Sequence, residues 1–352
     1  MTLVKAVKTI SASRLQTYKD RFSLPNDAEC LGLYIWNKKI CGAFFPVLQL
    51  LEVSLRNAVH QGYLEHEQKR LLILNPALTN WSTLLDQGWF ITFFKANKLT
   101  HKESFRHISA AEYALSQRKK PLTIDNIIAK LPYGFWAHIC SKYHDEKVND
   151  SLQLWPKNRN DVFPAAIRGG NYISMDEIQK TLQIINDIRN RIAHHEPIWH
   201  ASHLYDAPTF INKVVRDFAT CLDVIGWINP SNLKTLTLMA CADEMAHLCN
   251  ITVFNHYRQL ATSFGGTLAL DSTKWRKDNL LNERHEGQVV NVSAKDGSTI
   301  IKSIKDNKRF FLDRDNKPVL SPLLKVDEYV TFKPKRKGHN LFAQAVVRKP
   351  AT

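Results

Sequence analysis

The stretch "SMDEIQKTLQIINDIRNRIAHHEPIW", residues 174–199, predicts a long amphipathic helix that ends in a cluster of polar side chains. Ser174 and Glu177 have the spacing of a capping box, which marks the start of a helix. Pro197 marks its end, because the residue before a proline avoids the helical region. Between these points apolar residues recur every three or four positions, as on the buried face of a helix. The segment therefore predicts one helix of a helical core.

A polar ribbon lies beside the apolar stripe of this helix. The stripe consists of Ile178, Leu182, Ile185, Ile188 and Ile192. Arg189 projects from its edge, and an arginine there must be paired or must face a cleft or a partner, because an unpaired buried charge is very costly. Asn186, Asn190 and His194 follow one another at i, i+4 and i+8. Arg189 and His194 are five residues apart, so they converge only if the last turn loosens before Pro197.

These side chains suit metal-independent cleavage of RNA. That reaction needs a base for the 2′-hydroxyl proton, a cation on the phosphate and an acid for the leaving 5′-oxygen. Histidine titrates in the suitable range, and arginine binds phosphate with two donors. One unit of Arg189, Asn190 and His194 supplies part of this apparatus, and two facing units could supply all of it. The spacing alone favours a core salt bridge at Arg189 and a histidine that merely ends the helix.

A metal site is the other interpretation of this region. His195, Glu196, His200 and His203 are close in sequence and are of the types that bind zinc. They lack the H-E-x-x-H order of a zinc-binding helix, and Pro197 predicts a loop here. We therefore expect no metal site and no cofactor.

A second polar ladder occurs earlier, in "FPVLQLLEVSLRNAVHQGYLEHEQ", residues 45–68. Its apolar residues have helical spacing, and Glu52, Arg56 and His60 follow at i, i+4 and i+8. The ladder predicts an ion pair on the helix surface. Alternatively, Glu52 or Arg56 orients the arginine and histidine of the later helix from a neighbouring one.

The periodicity of the chain changes near residue 265. Helical spacing dominates residues 1–265, and five short β-rich segments separated by turn residues fill residues 285–352. We therefore predict a mainly α protein: a helical bundle over residues 1–265, a linker over 266–284 and a small C-terminal β-barrel over 285–352.

Charge is unevenly distributed between these regions. The whole chain has 48 Lys and Arg residues against 33 Asp and Glu, a net charge of +15. Residues 285–352 alone have 14 against 7, a net charge of +7. A basic protein of this kind suits a polyanion partner, of which nucleic acid is the commonest. Six scattered cysteines and the lack of a long apolar segment predict a soluble cytoplasmic protein that does not enter a membrane.

The C-terminal region resembles a cold-shock or OB-type barrel. The likeness lies in Gly287-x-Val289, Arg309-Phe310-Phe311, Val330-x-Phe332 and the closing strand. Aromatic rings between basic residues can stack on bases while the charges follow the phosphates. Strand alternation sends Phe310 and Phe311 to opposite faces, so one of them fills the core. The RNA-binding residues predicted on this basis are Lys308, Arg309, Phe310, Phe311, Phe332, Lys333, Lys335, Arg336 and Lys337.

Three elements of the helical region carry a further resemblance. "IRNRIAHHEPIW" is similar to the R-x4-6-H signature of the HEPN superfamily. The wider pattern resembles its Abi-like (abortive infection) branch, through Glu52, Arg56 and Asn57 in "LLEVSLRNAVHQ" and the aromatic element "LPYGFWAHI". The resemblance covers most of residues 10–265.

This resemblance implies an HEPN-like bundle that acts as a metal-independent endoribonuclease and a homodimer, as a toxin or in phage defence. It implies that Arg189 and His194 are catalytic, with support from Asn190, although Arg189-x5-His195 fits the signature as well. A dedicated small non-coding RNA is a further expected partner. The alternatives are a non-catalytic protein that holds a small RNA and a regulatory helical protein with a protein partner.

Overall fold

The computed structural model describes residues 3–199, 206–263, 284–293, 298–312 and 324–349. Within these ranges the chain is mainly helical before residue 264 and forms a closed five-stranded barrel near its C-terminus. The predicted fold class, mainly α with a small C-terminal barrel, is confirmed in these terms. None of the helices in the described ranges combines the length and apolar character that crossing a bilayer requires.

The helices of the described ranges are α1 (Leu3–Ile10), α2 (Ala12–Phe22), α3 (Asp27–Leu74), α4 (Trp81–Leu84), α5 (Trp89–Ala96), α6 (Lys102–Gln117), α7 (Ile124–Ile128), α8 (Tyr133–Ile139), α9 (Arg159–Val162), α10 (Met175–Ala193), α11 (Ala207–Ile228), α12 (Asn232–Leu238), α13 (Cys241–Leu248) and α14 (Ile251–Leu260). Short 3₁₀ turns occupy Lys142–His144 and Ala261–Ser263. The strands are β1 (Ile167–Arg168), β2 (Asn171–Tyr172), β3 (His285–Val292), β4 (Thr299–Ser303), β5 (Arg309–Leu312), β6 (Tyr329–Lys337) and β7 (Asn340–Arg348).

Contacts divide the chain into two units. One comprises Met1–Trp36, His203–Ala207 and Ala242–Thr352, and the other comprises Asn37–Ser202 and Pro208–Cys241. The region predicted as a single helical domain, residues 1–265, is therefore distributed over both units. The second unit contains all the residues of the candidate site described below.

Helix α3 runs without interruption through Pro46. A proline inside a helix removes one backbone hydrogen bond, that to the carbonyl of Gly42, at a cost of roughly 3 kcal/mol. The neighbouring side chains offset that cost, because Phe44 and Val47 are completely buried. Tertiary packing therefore continues a helix that proline alone would have stopped.

Helix α10 begins at the residue that the sequence predicts, and it ends before the predicted end at Pro197. The Ser174 side chain accepts a hydrogen bond from the backbone N–H of Glu177 at 3.2 Å, which caps the first turn. Its buried face is formed by Ile178, Leu182, Ile185 and Ile188. The last helical residue is Ala193, and His195 has a left-handed backbone conformation with φ of 58°. The helix thus ends in a tight turn before Pro197 restricts the chain.

Helix α8 shows what the aromatic element "LPYGFW" does. Tyr133, Phe135 and Trp136 are buried, and the Tyr133 hydroxyl donates to the carbonyl of Leu182 at 3.2 Å. A Cβ atom on Gly134 would lie 3.4 Å from Oδ1 of Asn186 on α10. The element therefore packs α8 against α10 and supports the helix that carries the polar cluster.

The barrel has the strand order β3-β4-β5-β7-β6 and is closed by the pairing of β3 with β6. Strands β5 and β7 are parallel, and the other pairs are antiparallel. All five strands lie within residues 285–352, where the small barrel is predicted. The buried core consists of Val289, Ile301, Phe310, Leu324, Val330, Phe332, Ala343 and Val346.

Candidate functional site

A cleft of about 1000 Å³ lies between α3 and the C-terminal end of α10. Glu52 and Arg56 line it from α3, and Arg189 lines it from α10. His195 lines it from the turn after α10, and Met239 from the end of α12. This α3–α10 cleft therefore brings together side chains of both polar ladders that the sequence singles out.

Arg189 is loosely held at the cleft wall. Its side chain is about one-third exposed, and its Nε lies 3.8 Å from Oε2 of Glu52. Its Nη1 donates to Oδ1 of Asn190 at a long 3.4 Å. Partly exposed pairs of this length contribute little to stability, under about 1 kcal/mol. An anion entering the cleft can therefore compete for the guanidinium without breaking a strong interaction.

The two adjacent histidines have different positions. His194 caps α10, with its backbone N–H donating to the carbonyl of Asn190 at 2.9 Å, and it does not line the cleft. His195 does line the cleft, and its backbone N–H donates to the carbonyl of Ile192 at 3.1 Å. The structure thus brings Arg189 and His195 into one cavity, whereas the sequence favours His194 as the partner.

Backbone contacts fix the turn that carries His195. Lys38 on α3 donates through Nζ to the carbonyl of His195 at 3.2 Å. The side chain of Asn37 accepts from the backbone N–H of Ile198 at 3.1 Å. The turn therefore has a defined position relative to α3, which also supplies Glu52 to the cleft.

Arg191 holds the same segment from the other side. Its Nε donates to the carbonyl of Pro197 at 2.8 Å, and its Nη2 donates to the carbonyl of Trp199. Its Nη1 pairs with Glu196 at 3.5 Å. Because Trp199 is buried, these contacts anchor the chain after the turn to the protein interior. Arg191 is a structural residue rather than a ligand of the cleft.

The ladder on α3 does not form an internal ion pair among the described residues. Glu52 approaches Arg189 instead, and Arg56 donates through Nη1 to the carbonyl of Ala129 at 3.5 Å. The Nε of Arg56 is buried and has no hydrogen-bond partner among the residues that the structure describes. His60 is buried and accepts from Nε1 of Trp89 at 3.3 Å, so it belongs to the core. Glu52 therefore lies closer to Arg189 of the later helix than to a basic partner on its own helix.

Most residues that line the α3–α10 cleft are apolar, and most of the charged residues among them are cationic. Lys38, Arg56 and Arg189 line it together with one carboxylate, that of Glu52. Burial raises the pKa of the Cys41 thiol, which also lines the cleft, so this thiol is protonated at neutral pH. The cleft therefore suits an anion such as a phosphodiester and offers no thiolate nucleophile.

No described group of three or more His, Cys, Asp or Glu side chains is arranged to hold a metal ion. His200 and His203, two of the residues considered as zinc ligands, lie outside the described residues. His195 and Glu196 are described, and His195 lines the α3–α10 cleft. Among the described residues, the polar groups that line the cleft include the guanidinium groups of Arg56 and Arg189, the carboxylate of Glu52 and the imidazole of His195.

The barrel residues predicted to bind RNA divide into exposed and buried groups. Phe310 and Phe332 are buried in the barrel core, with ring centroids 4.8 Å apart. Their assignment as base-stacking residues is therefore corrected, because their rings fill the core and do not reach solvent. Phe311 is 45% exposed, as strand alternation requires. Lys308 pairs with Asp306 at 3.1 Å in the β4–β5 turn.

The basic residues of the predicted set are otherwise exposed or partly exposed on the outer surface of the barrel. They are Arg309, Lys333, Lys335, Arg336 and Lys337. Arg336 donates through Nε to the carbonyl of Gly338 and thereby helps to form the β6–β7 turn.

Sequence reasoning missed three residues that matter in the structure. Lys38 lies far from the polar cluster in sequence, and no spacing rule connects it to His195. Arg191 stands in the quoted stretch, but its partners are carbonyl groups, which leave no side-chain pattern. Phe342 follows the β6–β7 turn and alternates with buried residues, a signal that could have found it.

The family model described as "Abi-like protein" matches residues 5–200, more than half of the chain. The matched region contains Arg189 and both adjacent histidines, and the barrel lies outside it. No curated protein and no solved structure matches the chain.

Proposed function

The chain belongs to the Abi-like protein family, and from this premise we propose that it acts in abortive infection as a metal-independent HEPN endoribonuclease. The observation that carries the proposal is the presence of Arg189 and His195 in one cationic cleft. An arginine with weakly engaged donors beside an imidazole supplies a phosphate ligand and a proton-transfer group. These are the groups that cleavage of RNA through its own 2′-hydroxyl requires.

The proposed reaction is an internal transesterification. Arg189 binds the scissile phosphate, and His195 takes the proton of the 2′-hydroxyl. The 2′-oxygen then bonds to phosphorus, and the bond from phosphorus to the 5′-oxygen breaks. A general acid protonates that oxygen, so the products are a 2′,3′-cyclic phosphate and a 5′-hydroxyl. Glu52 acts by positioning Arg189, and Asn190 supports the same side chain.

We place the general acid on a second copy of the chain. Among the described residues, one α3–α10 cleft presents one histidine, and acid and base must approach the phosphate from opposite sides. Large apolar side chains surround the cleft: Phe45 is 54% exposed, Val53 40% and Met239 53%. Exposed apolar groups around a cationic cavity suit a two-fold interface in which each cleft completes the other. His194 and His195 are the two candidates for the acid.

The test is cleavage of single-stranded RNA in EDTA with analysis of the product ends. Wild type should release a 2′,3′-cyclic phosphate or its 3′-phosphate hydrolysis product. Arg189→Ala should reduce the rate about 100-fold or more, because it removes the charge that stabilises the pentacoordinate phosphate. Arg106→Ala is the matched control, since this exposed arginine pairs with Glu103 on α6. Equal rates for the two variants would remove the α3–α10 cleft from the reaction.

A second function is supported by the single histidine in each cleft. A chain that does not dimerise would grip a phosphate without supplying both acid and base, and would hold RNA without cutting it. Sequencing of co-purified RNA separates the two functions. Cut ends that depend on Arg189 indicate the nuclease. One intact small RNA that co-purifies with both the wild type and Arg189→Ala indicates a protein that binds RNA without cutting it.

The barrel is proposed as an OB-like RNA-binding module for either function. Its closed strand order and the exposed lysines and arginines of β5 and β6 support this role. Its partner would be the RNA substrate or a dedicated small RNA.

A further inference from the structure

Two aromatic rings form a pair on the outer surface of the barrel. Phe311 on β5 and Phe342 on β7 are directly opposite in the parallel register, with ring centroids 6.3 Å apart. Phe311 is 45% exposed and Phe342 is partly exposed. Neither ring belongs to the buried barrel core. The pair is therefore an apolar platform that the fold itself does not cover.

Cationic side chains border this platform on two sides. Lys335 pairs in register with Phe342 across β6 and β7, and Nζ of Lys337 lies 5.4 Å from the centroid of the Phe342 ring. On the other side, Lys302 and Arg309 are opposite each other on β4 and β5, next to Phe311 in the sheet. A ring pair bordered by cations on both sides can bind bases and phosphates together.

Ion pairs compensate the charge of some basic residues of the described barrel, whereas other basic residues have no carboxylate partner there. Lys349 pairs with Glu286 at 2.6 Å, and Arg348 pairs with Glu328 at 3.1 Å. No carboxylate among the described residues pairs with Lys302, Arg309 or Lys335. The carboxylates of Glu286, Glu328 and Asp306 pair with Lys349, Arg348 and Lys308 respectively. Within the described residues, Lys302, Arg309 and Lys335 beside Phe311 and Phe342 therefore have no carboxylate partner and suit a polyanion.

We propose that Phe311 and Phe342 stack on two neighbouring bases of a single-stranded nucleic acid whose phosphates contact Lys302, Arg309 and Lys335. A single strand fits because its bases are free to leave one another and lie on a ring, whereas the bases of a duplex are stacked internally. The proposal deepens the RNA-binding role given to the barrel above and rests on it. It does not depend on cleavage in the α3–α10 cleft.

The experiment measures binding of a fluorescent single-stranded RNA by anisotropy, with full-length protein in the Arg189→Ala background so that the probe is not cut. Phe342→Leu and Phe311→Leu should each weaken binding about 5-fold to 100-fold. The matched control is Tyr329→Leu. Tyr329 is 50% exposed and lies on β6 six residues from Lys335, roughly 20 Å along the strand. This control should bind as the background protein does.

The charges are tested by a second pair of variants. Lys335→Gln should flatten the salt dependence of single-strand binding by about 0.7 units of slope. Lys349→Gln removes the same charge from an ion pair with Glu286 and should leave the slope unchanged. Thermal unfolding of each variant establishes that the barrel is folded.

Three further arms identify the ligand: duplex RNA, single-stranded DNA and single-stranded RNA of one sequence. A preference for the single strands over the duplex that is lost in Phe342→Leu supports the proposal. Comparison of single-stranded DNA with single-stranded RNA shows whether the sugar contributes to binding. Unchanged single-strand affinity in folded Phe342→Leu and Phe311→Leu overturns it, as does equal loss in Tyr329→Leu. Failure of wild type to cut RNA bears on the nuclease proposal alone.

Discussion

Arg189 and Arg191 lie two residues apart on α10, and the structure predicts opposite consequences when each is replaced by methionine. Arg191→Met removes the donors that hold the carbonyls of Pro197 and Trp199. Arg189→Met removes, among the contacts within the described residues, the long ones to Glu52 and Asn190. Methionine keeps most of the aliphatic length in both variants, so the comparison isolates the guanidinium.

The magnitude follows from the contacts and the burial of the two side chains. The Arg191 side chain is 18% exposed, and a hydrogen bond from a charged donor contributes about 1.5–3 kcal/mol. Two such bonds give a loss of about 3 kcal/mol or more, while the half-exposed Glu196 adds little. A loss of this size lowers the Tm of a unit of about 200 residues by roughly 6–12 °C. Arg189→Met should cost under about 1 kcal/mol.

The assay combines thermal unfolding with RNA cleavage at a temperature where both variants are folded. Arg191→Met should be the less stable protein and should lose activity because the turn with His195 is no longer held. Arg189→Met should have nearly the wild-type Tm and no measurable cleavage. If Arg191→Met unfolds at the wild-type temperature, the contacts described for Arg191 do not stabilise the turn and the reasoning is refuted.

Three further predictions concern the catalytic histidine, the interface and acid stability. His195→Ala should reduce cleavage at least 100-fold, and full activity in it together with loss in His194→Ala would reassign the base. Phe45→Asp should shift the molecular mass measured by light scattering to that of a monomer and should abolish cleavage. Tyr113 on α6 is also an exposed aromatic residue, and Tyr113→Asp should change neither the mass nor the cleavage. A monomer that cleaves RNA would contradict the composite site. Burial holds the pKa of His144 at about 3, so the unfolded chain binds a proton that the folded chain does not between about pH 6.5 and pH 3. Stability should therefore fall as pH falls, by up to about 1.4 kcal/mol per pH unit from this group. Denaturant titrations at several pH values should show a shallower dependence in His144→Gln, and an identical dependence would exclude His144 as the source.

The elements that the sequence predicts correctly are those whose structure is determined by interactions within one short segment. The start of α10 is one such element, because the backbone N–H of Glu177 donates a hydrogen bond to the side chain of Ser174 within a single turn. The barrel strands are another, because alternation and turn residues recur in each segment. The path of α3 through Pro46 was not predictable in this way. It depends on Phe44 and Val47 being buried against residues distant in sequence.

The candidate site was predicted in composition but not in arrangement. Arg189 and Glu52 stand in recognisable ladders, yet their approach to each other depends on how α3 and α10 pack. The choice between His194 and His195 depends on one left-handed residue in the turn. That conformation is stabilised by a hydrogen bond from Lys38. The periodicity of the sequence does not predict a contact of this kind.

Helix α3 supplies both Lys38, which holds the turn with His195, and Glu52, which approaches Arg189. The two positions lie on one continuous helix, roughly 21 Å apart at 1.5 Å per residue. A single inserted or deleted residue between them would rotate one relative to the other by about 100° and would change the position of Arg189 relative to His195. This part of α3 can therefore accept substitutions during evolution, but it cannot accept insertions or deletions. We expect natural variants of the chain to differ by substitutions within α3 and to acquire their insertions in the connection between α3 and α4.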